Sequence, residues 1–356
     1  MLSDQFAFRP TGSTTAALVS LVDRVTSILS TQPYVHLIAL DFSKAFDVAR
    51  HHTLFDKLCA LPISDQIYSW LLDFFEARTH ITKFASQASS ALSINSSVVQ
   101  GSALGPPMFI ISTWDLKAVA PGNSYFKYAD DASLVVPASN SSTIGAELAN
   151  VADWSRTNNQ TLNITKSSEL IISLRWTRGL VMPPPLPDIP RVQNLLLLGV
   201  LLDNHLLFAP HVTKTLAQAS QSIHALKVLK TSGLPIRSLT SVCQATLVAR
   251  LLYAAPCWWG SISEADKLRL QATLRRAVTW GVCSSPPFNF LDLCASADQV
   301  LFQSVMDDQH HVLQPLLPPV RPRTHNLRAR GHPYVLPFRD RFTQANFIRR
   351  MLFTKL

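Results

Sequence analysis

Long apolar runs, paired cysteines and an abundance of charge are what this sequence lacks. No uninterrupted apolar stretch approaches the ~18 residues a helix needs to cross a bilayer. The densest, Leu195 to Leu202, has strand length. The first residues carry no charged-then-apolar leader pattern, so secretion is not expected. Five cysteines occur: Cys59, Cys243, Cys257, Cys283 and Cys294. An odd number without C-x-x-C spacing argues against a disulfide framework and against a zinc knuckle. Reduced thiols in an intracellular protein are the expectation. Charged residues make up 15% against 47% hydrophobic, which reads as globular and not disordered. At 356 residues the chain is long enough for a sizeable core and two or three subdomains.

The charge that is present is unevenly spread. The formal net charge is +9, yet residues 1–150 hold 9 Lys/Arg and 12 Asp/Glu, while residues 151–356 hold 23 and 11. The first part is therefore mildly acidic and the second strongly basic. Such a split suits a chain that gathers cations at one place and phosphate backbones at another. A basic solvated surface explains the second part as well.

The first part carries an unusual pair. In Tyr125-Phe126-Lys127-Tyr128-Ala129-Asp130-Asp131-Ala132-Ser133-Leu134-Val135-Val136, two adjacent carboxylates fill a two-residue gap between apolar runs. The pattern predicts strand, tight turn, strand. Two carboxylates side by side repel, and holding them in a fold is costly unless a cation neutralises them. The earlier run Val35 to Leu40 predicts a buried strand, and Asp41 ends it. Three carboxylates on neighbouring strand ends predict two Mg²⁺ ions, with Mn²⁺ as a possible substitute. An ion spacing of roughly 3.5–4 Å serves in-line phosphoryl transfer.

At these residues the chain resembles a known family. Tyr128-Ala129-Asp130-Asp131 looks like the catalytic box of reverse transcriptases. Ala39-Leu40-Asp41-Phe42-Ser43-Lys44-Ala45-Phe46-Asp47 looks like their other aspartate box, and Gln100-Gly101-Ser102-Ala103-Leu104-Gly105-Pro106 like the box between. The wording is that of non-LTR (LINE-type, jockey-like) retrotransposon polymerases, and the resemblance runs from about Gln5 to the C-terminus. It implies Asp41, Asp130 and Asp131 as metal ligands and catalytic residues. It implies Phe46 as a gate beneath the sugar, with Phe42, Gln100, Gly101 and Arg9 at the nucleotide. It places Lys166, in Leu162-Asn163-Ile164-Thr165-Lys166-Ser167, near the leaving pyrophosphate, and Leu198-Gly199-Val200 in a primer grip. The family has Gly where Ala7 stands, and it has more fingers and an endonuclease upstream of Gln5. A truncated copy with incomplete fingers is therefore expected.

Elsewhere the residues predict supporting structure. Ser13 or Thr14 caps a helix with the apolar stripe Leu18, Leu21, Val22, Val25 and Leu29. Helices are expected over 52–61 and 64–78. The stripe Ile67, Trp70, Leu71, Phe74 and Phe75 is read as core, and His51 and His52 as surface residues. Residues 80–99 read as a hairpin, 144–158 as a helix, and Pro183 to Pro187 as an extended linker. Helical patterns then dominate over 211–231, 236–255, 263–280 and 288–314. The tail from Arg321 to Leu356 has nine Lys/Arg and one acid, with Tyr334 and Phe338 as candidate stacking residues.

The fold expected is α+β: a right-hand polymerase with partial fingers (1–34), an antiparallel-sheet palm with inserted fingers elements (35–204), a helical thumb (205–320) and a basic C-terminal tail (321–356). The expected function is RNA-directed DNA polymerase, taking an RNA template, a DNA primer and dNTPs. Such a chain has no membrane association and works in cytoplasm and nucleus. A nucleic-acid-binding relic without catalysis is the alternative.

Overall fold

A strand with almost no polar side chains is stable only when both its faces are covered. That is the situation of β1 (Tyr34–Leu40), where Val35, Leu37, Ile38 and Leu40 are all buried. The structure, a computed structural model, describes residues 2–99, 101–174, 181–283, 289–320, 332–335 and 343–354. It mixes helix and sheet, and it divides into two compact units. The first comprises Met1–Arg9, Leu37–Ser168 and Pro185–Pro190; the second comprises Pro10–His36, Glu169–Pro184 and Arg191–Leu356.

In the first unit, the later half of β1 lies beside β8 (Asp131–Pro137), which pairs antiparallel with β7 (Ser124–Tyr128). A short ladder joins β2 (Phe42–Ser43) to β9 (Thr161–Leu162). The sheet is closed on one side by α5 (Gly105–Thr113) and α6 (Ile144–Thr157), with Ile38, Leu40, Phe109, Leu134, Val136 and Val151 in the shared core. Each such side chain, fully buried, contributes about 1.5–3 kcal/mol relative to leaving it in water. Glu147 on α6 is fully buried and needs partners: it accepts from Val119 N, Ala120 N and Asn123 Nδ2 at 2.8–3.0 Å.

A second core in this unit joins α5 to α3 (His51–Cys59) and α4 (Asp65–Phe75), after a single turn, α2 (Ala45–Val48). Two expectations are corrected here. His51 is buried, with its ring against Phe75 and Nε2 at 2.9 Å from Ser97 O. Only Leu71 and Phe75 of the α4 stripe are buried; Ile67 and Trp70 are more than half exposed. Leu71 and Phe75 face the cluster formed with Leu54, Leu58 and Met108, and Ile67 and Trp70 lie off that face. The predicted hairpin forms as two exposed ladders, β3 (Thr79–His80) with β6 (Leu92–Ser93) and β4 (Lys83–Phe84) with β5 (Gln87–Ala88).

In the second unit, α1 (Thr14–Leu29) starts where Ser13 Oγ accepts from Ala16 N, and all five residues of its predicted stripe are buried. The first half of β1 is accompanied by β10 (Ser168–Ser173), whose buried Glu169 meets His36 Nδ1 at 2.7 Å. The strands β11 (Asn194–Leu197) and β12 (Val200–Asp203) form a hairpin. Asp203 then accepts from the N–H groups of His205, Leu207 and Phe208, which turns the chain sharply into α7 (Ala209–Thr231). The helix α8 (Ile236–Cys243) passes through a π-turn, Gln244–Val248, into α9 (Ala249–Leu251). Next come α10 (Ala255–Trp258), α11 (Glu264–Thr279) and α12 (Phe290–Asp307), with Trp258 fully buried against His211 and Phe290.

The end of the chain departs from the expected basic tail. Residues Phe347–Thr354 form α13, which buries Phe347, Ile348, Met351 and Leu352. Arg350 grips the buried Asp298 of α12 with two hydrogen bonds of 2.8 and 3.0 Å. An arginine so committed is packing the fold. Tyr334 is partly buried, and Phe338 lies outside the described residues.

Candidate active site

The aspartates of the first unit are set by strand geometry. Asp41 follows the last residue of β1. Its N–H donates to Ser167 Oγ at 3.2 Å, and its carbonyl accepts from Asn163 N at 2.8 Å. The β2–β9 ladder, Phe42 opposite Leu162, holds the loop 163–167 against this strand end. Lys166 sits on that loop with its side chain exposed. Asp130 and Asp131 do not share the turn, as the two-residue gap had suggested. Tyr128 pairs with Asp131, so the turn is Ala129-Asp130, and Ala129 takes a left-handed φ of +55°.

The three carboxylates share one electrostatic field. Burial by the surrounding chain pushes the Asp131 carboxyl above the ordinary aspartate range, and the charges of Asp130 and Asp41 push it further. Among the described residues, no three His, Cys, Asp or Glu side chains converge on one point. Like charges so placed repel one another, and a cation between them would relieve that repulsion. An all-oxygen donor set with mutual charge repulsion fits a hard divalent cation.

The turn is braced from the other side by residues 4–7. Gln5, which is buried, accepts at its side-chain oxygen from Ala129 N at 3.3 Å, Phe6 N at 3.1 Å and Ala7 N at 3.0 Å. Nothing in the composition or spacing singled Gln5 out; the only signal was that the family resemblance begins there. Lys127, also buried, donates to Thr113 O and Leu116 O at the end of α5 and lies 3.2 Å from the Asp4 carboxylate. Burial pulls its ammonium down to about 8, against the opposing pull of Asp4.

The nucleotide-site candidates divide. Phe46 and Gly101 line one cleft of about 270 Å³ together with Phe8, Val99, Gly105 and Pro106. Phe46 also stacks on Phe109, with ring centroids 3.9 Å apart. Gly105 is required there, because a Cβ would stand 2.7 Å from Val99 O. Phe42, expected at the nucleotide, packs instead edge-on against Trp154 in the core. Successive strand residues face opposite ways, so Asp41 and Phe42 cannot both point into a cleft. Arg9 donates to Leu2 O and Gln5 O, which commits its guanidinium to the loop carbonyls. Gln100 lies outside the described residues.

Leu198, Gly199 and Val200 belong to the second unit, at the tip of the β11–β12 hairpin. Leu198 and Gly199 form the turn with φ of +45° and +82°. Tyr253 donates to Leu198 O at 3.0 Å, and a Cβ on Gly199 would stand 2.9 Å from the Tyr253 ring. Beside this tip opens a cleft of about 520 Å³ lined by Lys214, Gln218, Thr246, Arg250 and Tyr253. Lys227 and Lys230 are engaged elsewhere, one over the Trp280 ring at 3.1 Å and the other on Trp280 O at 2.8 Å.

The lone aspartate at one strand end and the adjacent pair on the neighbouring hairpin lie in the part of the chain that the family comparison covers. Residues 1–202 match the family described as reverse transcriptase (RNA-dependent DNA polymerase), and the chain belongs to that family. Its relatives in Drosophila melanogaster include the probable RNA-directed DNA polymerase from transposon X-element, 25% identical over 75% of this chain and 30% of that protein. The probable RNA-directed DNA polymerase from transposon BS is 24% identical over 77% of this chain and 32% of its own length. The RNA-directed DNA polymerase from mobile element jockey is 27% identical over 76% of this chain and 31% of its own length. The chain thus spans about a third of the length of the curated relatives it matches. Among solved structures, "Structure of telomerase from Candida Tropicalis in complexe with TWJ fragment of telomeric RNA" overlays with a TM-score of 0.47 and 12% identity, covering 88% of this chain and 53% of that one. No helix among the described residues is long and apolar enough to cross a membrane.

Proposed function

We propose that the chain is the polymerising part of a jockey-like retrotransposon reverse transcriptase, extending a DNA primer on an RNA template with dNTPs. The observation that carries this reading is the mutual charge of Asp41, Asp130 and Asp131 at the strand ends of a family member. These three residues would hold two Mg²⁺ ions. Bound there, the ions supply polarisation of the phosphate oxygens and of the attacking hydroxyl. The primer 3′-oxygen bonds to the α-phosphorus, the α–β phosphoanhydride breaks, and the hydroxyl proton is lost. Lys166, exposed on the loop beside Asp41, neutralises charge on the departing pyrophosphate. Residues 35–204 would serve as palm, 205–320 as thumb, and the Gly199 tip as primer grip. Poly(rA)·oligo(dT) should be extended by this chain, or by a longer protein carrying it, only with Mg²⁺ or Mn²⁺ present. Duplex binding without extension under either metal would return the chain to the status of a relic.

Phe46 would close the cleft beneath the sugar. Its replacement by Val opens that floor and removes a ring stack worth about 0.5–1.5 kcal/mol. Discrimination against rNTPs should fall roughly 10–100-fold. Competition between rNTP and dNTP in a single-nucleotide extension measures this, and unchanged selectivity would leave Phe46 a packing residue.

The cleft beside Gly199 would take primer phosphates. Lys214 lines it, whereas Lys227 and Lys230 are held by Trp280. Duplex affinity falls with salt at a slope of about −0.9 per neutralised phosphate. Lys214→Ala should therefore reduce the salt slope by up to about one unit, and Lys227→Ala or Lys230→Ala by less. Equal effects at all three positions would remove the cleft from the argument.

A further inference from the structure

We propose that Gln5 is a positioning residue for the Asp130–Asp131 turn, its side-chain oxygen holding Ala129 in the left-handed conformation that sets the two carboxylates apart. The proposal rests on the reading of those aspartates as metal ligands.

Three observations meet at this residue. Ala129 carries a Cβ, yet it sits at φ +55°, a region that residues with a side chain avoid unless their surroundings hold them there. Its N–H points at Gln5 Oε1, 3.3 Å away. The same oxygen also accepts from Phe6 N and Ala7 N, so it is fixed by its own segment before it meets the turn.

The segment in turn is fixed to the strand that leads into the turn. Phe6 N donates to Lys127 O at 2.9 Å, and Lys127 N donates to Asp4 O at 2.7 Å, on either side of a parallel bridge between Gln5 and Lys127. The Phe6 ring stacks on Phe126, and the Asp4 carboxylate reaches Lys117 Nζ at 2.7 Å and Lys127 Nζ at 3.2 Å. Gln5 is thus a buried acceptor on an anchored backbone, one strand away from the Asp pair. A hydrogen bond donated to such an oxygen by Ala129 N restrains the turn whether or not an ion is bound. The competing account is that Gln5 merely closes its own loop through Phe6 and Ala7, with Ala129 as a bystander.

Hydrogen-exchange mass spectrometry separates the two. Gln5→Met keeps the shape and removes the acceptor; Gln5→Glu keeps an acceptor oxygen at the same reach. Exchange in peptides spanning residues 127–131 should rise about tenfold in Gln5→Met, the scale of one lost buried hydrogen bond. Gln5→Glu should exchange like the parent, and α6 peptides should be unchanged in both. Mn²⁺ affinity, read by loss of the free-ion paramagnetic resonance signal, should drop about tenfold in Gln5→Met and recover in Gln5→Glu. If Gln5→Met does not fold, Gln5→Asn replaces it, with an oxygen one methylene short of the turn and the same expected opening. Unchanged exchange at the turn, or equal acceleration in Gln5→Glu, overturns the proposal. A parent that binds no Mn²⁺ but shows the exchange pattern sinks the metal reading and leaves the clamp standing.

Discussion

Primer extension should fall by roughly 1,000-fold or more in Asp130→Asn, about 4 kcal/mol of transition-state stabilisation. Asn keeps the size of the side chain and one carbonyl oxygen, so the turn at Ala129-Asp130 has no steric reason to change. What it removes is one of the charges that raise the Asp131 carboxyl. Two opposite results follow from that single change. The field at Asp131 relaxes, so its carboxyl should move back toward the ordinary aspartate range. The attraction for a dication weakens at the same time, because a neutral amide is a poor ligand beside a carboxylate. Catalysis and divalent-ion affinity should therefore drop together, while affinity for primed template at low salt stays within about twofold, since it rests on phosphate contacts. Single-turnover extension, Mn²⁺ titration and filter binding measure the three quantities. Parental extension by Asp130→Asn would remove this carboxylate from the site.

The wild-type field has a pH consequence with a definite sign. Asp131 is raised by burial and by its two neighbours, so it holds a proton to a higher pH than a free aspartate. A metal must displace that proton. Affinity for a divalent ion should then increase with pH through the titration of Asp131. In Asp130→Asn the same rise should occur at lower pH.

Much of this was legible from residue patterns, because the relevant forces act within a few residues of the chain. The apolar runs on either side of the acidic gap specified the β7–β8 hairpin, the Ser13 cap specified the start of α1, and the unbroken apolar run specified β1. The placing of Asp41 after β1 and of the Asp pair at the β7–β8 connection followed from those strands. What could not be read are facts that depend on distant partners. Gln5 and Ala129 are 124 residues apart, and no local pattern announces their hydrogen bond. Whether the α4 stripe is covered depends on what packs there, so Trp70 was assigned to a core it does not enter. The last stretch read as a basic tail suited to nucleic acid, and its short helix was missed because periodicity over eight residues is a weak signal. Its Arg350 is spoken for by Asp298, 52 residues upstream. The one-residue shift of the Asp pair relative to its turn has the same origin. Both registers keep an apolar strand on each side, and only the cross-strand partner, Tyr128 with Asp131, chooses between them.

Glu169→Ala should destabilise the second unit by about 3–5 kcal/mol, the cost of stripping one partner from a buried ionic set. Glu169 is fully buried on β10, where one oxygen meets His36 Nδ1 at 2.7 Å and the other accepts from Arg191 Nε at 2.7 Å. Arg191 also donates to Pro183 O and Pro184 O, so a single guanidinium pins the proline-rich stretch to the strand. Burial alone would raise the Glu169 carboxyl; the hydrogen bonds and charges of His36 and Arg191 outweigh it and hold the carboxyl below its usual 4.5. A carboxylate depressed in the folded state contributes stability in full above its unfolded pKa. That contribution is lost as pH falls through the lower folded value. Denaturant unfolding of the wild type should thus show a loss of stability beginning below about pH 4.5, with Glu169 as one source. Glu169→Gln keeps the shape and some hydrogen bonding, so its cost at neutral pH should be smaller, about 1–3 kcal/mol. Because it cannot titrate, the difference between wild type and Glu169→Gln should shrink on acidification and vanish once Glu169 is protonated in both folded and unfolded chains. A difference that stays constant from pH 7 to pH values well below the folded titration would show that the charge of Glu169 adds nothing to the fold. The set would then be held by shape and neutral hydrogen bonds alone.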